Sequence, residues 1–399
     1  MEVVKRFILR AGRWEYTVLC LLVILNLTIH FSIINNPPEV VFDEVYYVED
    51  AQNILEEHTT ERIEHPPLGK LLITSGIAVF GDNPVGWRTL PILFGTANIV
   101  LLYLICRRLQ MSRMASNIAV FLLTFENLSF VQGGMAMLDV FSLTFMLLSF
   151  WLYLRRSYPL SAVSVALASL AKLTGVFALG IIFLHWLIAR RTGKVQFIAS
   201  MALVPLVFLL LMPVFEFAIY HHWTGLFSGM REMLDVSLSL TSSAAAHPFA
   251  TRPWIWVIMP KVMPYFYGPH YFGAISFNLW ALIIPAFLYM TFRAVKKDEA
   301  GLFGAVWFAG TYLVWIFITL ITDRVTYIYY FYPAVGAICI GLGMGLSKLV
   351  DFWRERQDGK LRWAAIMFVV FFLLLHLGVF IVLAPVNPWL VERLLVPLM

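Results

Sequence analysis

Charge is scarce in this chain of 399 residues. Asp, Glu, Lys and Arg make up 13% and hydrophobic residues 60%, where a soluble globular chain has about 25% and about 45–50%. That shortage excludes a soluble enzyme and a disordered tail, because no core of this size hides so much apolar surface. Cysteine is scarcer still. Cys20, Cys106 and Cys339 fall in or at the ends of apolar runs, which excludes a secreted disulfide scaffold, and they lack metal-ligand spacing. No A-x-A-like cleavage site follows the first apolar run, where Asn26, His30 and the Pro37-Pro38 pair stand instead. That run therefore reads as an uncleaved first span rather than a signal peptide. No internal repeat is visible. The excess of 29 Lys and Arg over 24 Asp and Glu is modest. In a membrane chain such an excess reflects topology, so no nucleic-acid partner is expected.

What is present is apolar sequence in long runs. Windows of about 20 residues give eleven candidate spans, roughly 15–34, 88–106, 114–129, 136–154, 158–171, 174–189, 196–219, 273–292, 301–321, 327–347 and 364–384. The expected class is an all-α polytopic membrane protein, a single membrane domain over 1–399. Basic residues cluster at alternate ends of the runs, at Lys5 to Arg13, Arg107 to Arg113, Arg155-Arg156, Arg190 to Lys194, Arg293 to Lys297 and Lys348 to Arg362. By this assignment 20 of the 29 Lys and Arg lie on one side, with a balance of +13 there and −8 on the other. The positive-inside rule makes the basic side cytoplasmic, with the N-terminus inside.

Two outer segments are long, 35–87 and 220–272, and loops of that length usually carry function. The first contains VFDEVYYVEDAQNILEEH, in which Val41, Val45, Val48, Ala51 and Leu55 recur at helical spacing. A short amphipathic helix on the outer membrane surface is expected, with Glu49, Asp50, Glu56 and Glu57 on its solvated face. Asp43 and Glu44 stand at its start, either as capping groups or as a base facing a cavity. In IEHPPLGKLL, His65 and Lys70 bracket the start of a second short helix, as a capped turn or as an anion site. Arg88 follows at the outer interface, where it either snorkels to headgroups or holds a phosphate. Glu126, Asp139, Lys172 and Arg324 lie near the outer ends of spans, where ionisable groups are costly and mark functional sites. Glu216 fits the outer headgroup level. The second loop, AAAHPFATRPWIWVIMPKVMPYFYGPHYFG, adds His247, Arg252, Lys261 and His270 among many aromatics.

Seven pieces in order resemble one family. FDEVYYVEDA, HPPLGKLL, GWRTLPILFG, MAMLDVF, ASLAKLTGVF, AHPFATRPWIWV and DRVTYIYYFYPAV are similar to segments of the protein O-mannosyltransferases, membrane glycosyltransferases of the GT-C type. The likeness runs from about residue 38 to about 345. One departure stands out: the family usually has Ser-Arg before the A-M-L-D stretch, and this chain has Gly133-Gly134. The soluble MIR module of eukaryotic members has no room here, which points to the prokaryotic type.

The resemblance implies an inverting single displacement, moving mannose or another hexose from a polyprenyl- or dolichyl-phosphate donor to a Ser or Thr hydroxyl. It implies Asp43 as general base and Glu44 as second carboxylate. His65, Lys70, Arg88, Lys172, His247, Arg252 and Arg324 become candidates for the donor phosphate and sugar, with Glu126 and Asp139 as further cavity residues. No cofactor is required. A divalent metal at Asp43-Glu44 is the alternative, not favoured, since adjacent carboxylates are ordinary ligands for such ions. Expected partners are a lipid-linked sugar, a protein or glycolipid acceptor and membrane lipid, at the plasma membrane with an extracytoplasmic site. The rivals are the same donor chemistry on a lipid or glycan, and a transporter or lipid flippase. The latter would string polar residues through mid-span positions.

Overall fold

The computed structural model describes residues 15–225, 227–242, 248–267, 270–355 and 359–386. Each of the eleven apolar runs contains a helix. Five helices are long and apolar enough to cross a bilayer: Pro84–Arg108, Lys194–Tyr220, Glu299–Thr322, Ile328–Glu355 and Gly359–Leu383. Arg113–Thr124 and Asn127–Gly134 form a sixth apolar unit, bent by 61° at the break between them. Thr17–Ile33, Leu138–Leu154, Tyr158–Ala171, Leu173–Ile188 and Ile283–Val295 have 10–17 residues. That is about 15–25 Å at 1.5 Å per residue, short of a hydrocarbon core of about 30 Å. By length and composition the described residues hold five spans, or six with the bent unit, and the expected eleven are not reached.

Local chemistry sets the helix ends. Asn83 caps Pro84–Arg108 by accepting from the Val85 and Gly86 amides at 2.9 and 3.3 Å. Pro84 fills the first turn, and Arg107 and Arg108 face the negative end of the dipole. Ile328–Glu355 runs through the centre, with 78% of its apolar window buried, against 28% for Lys194–Tyr220 and Gly359–Leu383. The latter two therefore carry lipid-facing surface. Pro84–Arg108 meets Asn127–Gly134 where a Cβ on Gly95 would stand 2.8 Å from the Gly133 Cα, so only glycine permits the approach.

The two outer segments depart from expectation. In the helix Glu44–Glu56 the buried face is Glu44, Tyr47, Val48, Asp50, Ala51 and Ile54, while Val45 and Leu55 are exposed. The helix is thus rotated from the predicted apolar stripe, because two of its acids point inward to buried cations. The second segment contains the helix Ser228–Ser239 and an unexpected antiparallel hairpin, β1 (Val262–Tyr267) and β2 (His270–Ala274). Met263 and Tyr265 face inward, and the register shifts between Pro264 and Phe266, a bulge that accommodates the proline.

Candidate functional site

Two sets of buried charge organise the first outer loop, and the first is closed. Glu44 is fully buried. Its Oε1 accepts from Arg88 Nε at 3.0 Å and the Ala136 amide at 2.8 Å, and its Oε2 accepts from Arg88 Nη2 at 2.7 Å and the Val41 amide at 3.2 Å. Arg88 donates its remaining N–H groups to the carbonyls of Ile34, Pro37 and Glu39 at 2.9, 2.7 and 3.0 Å. All five guanidinium donors are engaged. Glu44 and Arg88, expected to touch substrate, instead pin the chain after the first span to the top of Pro84–Arg108. Nor do Asp43 and Glu44 present two open carboxylates to a divalent ion.

Lys70 repeats the pattern. Its ammonium donates to Thr60 Oγ1 at 2.7 Å and the Arg62 carbonyl at 2.6 Å, and pairs with Asp50 Oδ2 at 3.3 Å, both side chains 1% exposed. Asp50 Oδ1 accepts from the Glu61 amide at 2.8 Å. Lys70 is therefore a brace, not a phosphate ligand, and Asp50 is a buried partner rather than part of a solvated face; Glu49, Glu56 and Glu57 are exposed as expected. Glu126 is likewise saturated. It caps Asn127–Gly134 by accepting from the Ser129 amide at 2.6 Å, and takes the Ser276 amide at 2.9 Å, which ties the bent unit to the chain after β2.

The second set is open. Asp43 precedes the helix Glu44–Glu56, and its Oδ2 accepts from Tyr329 Oη at 3.3 Å. Burial pushes its carboxyl up to about 6, with Asp139 adding to the rise and Lys172, the Tyr329 hydrogen bond and Arg62 opposing it. Phe42 holds Asp43 in place. Its φ is 52°, a costly region for a bulky residue, and its ring stacks on Tyr265 of β1 at 4.2 Å and meets Tyr329 edge-on at 5.6 Å. The hairpin thus backs the residue before the acid. Lys172, at the break between Tyr158–Ala171 and a short 3-10 turn, donates to Asp139 Oδ2 at 2.7 Å. Its ammonium lies 5.6 Å from the ring centroids of both Tyr329 and Tyr330. His65 meets Tyr47 Oη through Nε2 at 3.1 Å, and burial beside Lys172, Lys70 and Arg324 holds its imidazole well below the usual range, so it is neutral.

Lys172, His65 and Arg324 line one cavity of about 240 Å³, whose apolar walls include Phe177, Leu238 and Trp315. Arg324 Nη1 also donates to the Ser237 carbonyl. Arg252 is not brought there; it pairs with Asp323 Oδ1 at 2.7 Å. His247 lies outside the described residues. At the Gly134 position a Cβ would meet His30 Cδ2 at 2.8 Å, so His30 occupies the space that the family arginine would enter first. Tyr47, Tyr329 and Tyr330 were not singled out from sequence. Tyr47 lies in FDEVYYVEDA and Tyr329 and Tyr330 in YIYYFYP, runs that carry family likeness only.

Two family models match, both described as dolichyl-phosphate-mannose-protein mannosyltransferase, over residues 64–220 and 20–87. The chain belongs to this glycosyltransferase family. A polyprenol-phosphate-mannose–protein mannosyltransferase of Mycobacterium tuberculosis is 37% identical over 116 residues, 28% of this chain, and the matched stretch spans 22% of that relative's length. Its Corynebacterium glutamicum counterpart is 24% identical, over 86% of this chain and 84% of the relative. Among solved structures, the S. cerevisiae protein O-mannosyltransferase Pmt1-Pmt2 complex bound to the sugar donor aligns with TM-score 0.75 at 11% identity, covering 94% of this chain and 90% of that one. ArnT from Cupriavidus metallidurans bound to undecaprenyl phosphate aligns at 0.58 and 16%, covering 94% and 75%. The chain is thus an integral multi-pass membrane protein of GT-C fold.

Proposed function

We propose that this chain transfers mannose from a polyprenyl-phosphate carrier to a Ser or Thr hydroxyl of a polypeptide. The observation that carries the reading is Asp43: a carboxyl raised to about 6, placed beside Lys172. A base is most effective when its pKa lies near the working pH. The acceptor oxygen attacks the anomeric carbon and its proton passes to Asp43. The bond from that carbon to the phosphate oxygen breaks, and the lipid phosphate leaves with the electron pair. Lys172 and Arg324 supply positive charge where phosphate charge grows, and the apolar wall with Phe177, Leu238 and Trp315 suits the prenyl chain. Neutral His65 serves as a hydrogen-bonding partner rather than a cation. These cations make the chemistry feasible without a metal.

The site opens at the extracytoplasmic face of the plasma membrane in this reading. Arg88 and the Arg107-Arg108 pair sit at opposite ends of one helix, so the site and the basic cluster lie on opposite sides. Purified full-length protein with polyprenyl-phosphate mannose and a Thr-containing peptide is the test. A mannosylated peptide is expected, with activity unaffected by EDTA. A glycolipid product with no peptide product overturns the protein acceptor, and loss in EDTA restored by Mn²⁺ overturns the metal-free step.

A further inference from the structure

His65 lines a second cavity, and among the described residues the two cavities have no other lining residue in common. The second encloses about 300 Å³ between the first outer loop and the end of Lys194–Tyr220. Its net charge is opposite to the first, where Lys172 and Arg324 outnumber Glu64. Glu216 and Glu232 line it, and its one ammonium, that of Lys70, is bound to Asp50, Thr60 and the Arg62 carbonyl. Glu216 is 8% exposed, and its carboxylate is held by a hydrogen bond from Thr224. Gly229 leaves room for it, since a Cβ there would stand 2.7 Å from Glu216 Oε1. A lipid phosphate is repelled by such walls and attracted by those of the Lys172–Arg324 cavity. The two cavities meet at His65, and His65 is hydrogen-bonded to Tyr47, one helical turn beyond Asp43.

We propose that this acidic cavity seats the acceptor polypeptide and selects a lysine or arginine side chain within a few residues of the hydroxyl that receives the sugar. The inference rests on the protein-transferase reading and adds to it a charge preference. The basic side chain would lie near Glu216 and Glu232, while the hydroxyl residue reaches Asp43 past His65. A partly screened contact of this kind changes affinity by roughly three- to tenfold.

Three peptides test it, identical except for Lys, Gln or Glu two residues from a single Thr. Binding of the fluorescently labelled peptides to purified full-length protein without donor is measured first, then mannose transfer. Wild type should bind Lys over Gln over Glu, with KM following that order. Glu232→Lys should reverse the order, and Glu216→Gln should flatten it. Because each ratio is taken within one preparation, partial misfolding of a variant does not affect it. Equal binding of the three peptides by wild type overturns the inference even if transfer proceeds. A change in donor KM with no change in peptide order also overturns it, because the cavity would then hold the sugar. Charge-ordered binding with no transfer supports the cavity and sinks the transferase reading instead.

Discussion

Glu44 and Asp43 are neighbours in the chain, yet they belong to different kinds of site. The Glu44–Arg88 pair is saturated by its own members and by backbone groups, and in the Asp50–Lys70 pair the ammonium is engaged by Asp50, Thr60 and the Arg62 carbonyl. Such pairs fix geometry, and no donor remains on Arg88 for a substrate. Asp43, Lys172 and Asp139 form a set in which each group has fewer partners, and Lys172 and Asp139 border cavities. The contrast shows that burial and charge alone do not mark catalytic residues. The count of engaged donors and acceptors separates a carboxylate that holds the loop from one that can take a proton.

Replacing Asp43 sharpens this contrast most. Asp43→Asn should lower transfer by about 10²–10⁴-fold, the usual contribution of a positioned base. Its stability should move the other way. The folded carboxyl titrates at about 6, above its unfolded value. It therefore favours the folded state only when protonated, and burdens it as pH rises through about 6. The variant should unfold at the same or a higher temperature than wild type at pH 7. Full activity in Asp43→Asn would end the assignment. Arg88→Ala should do the reverse, destabilising the fold by about 3–5 kcal/mol through an unpaired buried Glu44. Arg88→Lys should rescue little, since one ammonium cannot fork to Glu44 and three carbonyls. A drop in activity with unchanged thermal unfolding would instead return Arg88 to the substrate.

Hydropathy made the helices legible, and motif order made the family legible. The division of labour within the site was not. Arg88 reads as a phosphate ligand because its partners are the carbonyls of Ile34, Pro37 and Glu39, and backbone geometry leaves no trace in residue types. Asp50 reads as solvated because its partner, Lys70, belongs to the next helix. Lys172 and Asp139 both stand out in the sequence, but their pairing joins two helices. The hairpin was hidden by Pro264 and the aromatics, although the inward alternation of Met263 and Tyr265 is a period-two signal. The role of Phe42 follows from that missed hairpin.

A smaller effect tests whether the open set acts as one unit. Lys172 lowers the Asp43 carboxyl while Asp139 raises it. Lys172→Met removes the favourable charge, so the acid limb of the kcat/KM profile should move above its wild-type position near 6. Asp139→Asn should move it down. An acid limb unmoved by both would mean that Asp43 does not set the profile. The smallest effect is expected on the outer face of the same helix. Glu49 and Glu57 are exposed, so Glu49→Gln and Glu57→Gln should change stability by less than about 0.5 kcal/mol and leave the acid limb where it is. If either variant matched Arg88→Ala in unfolding temperature, saturation of partners would not distinguish a brace from a surface charge. The comparison between the two sets would then lose its physical basis.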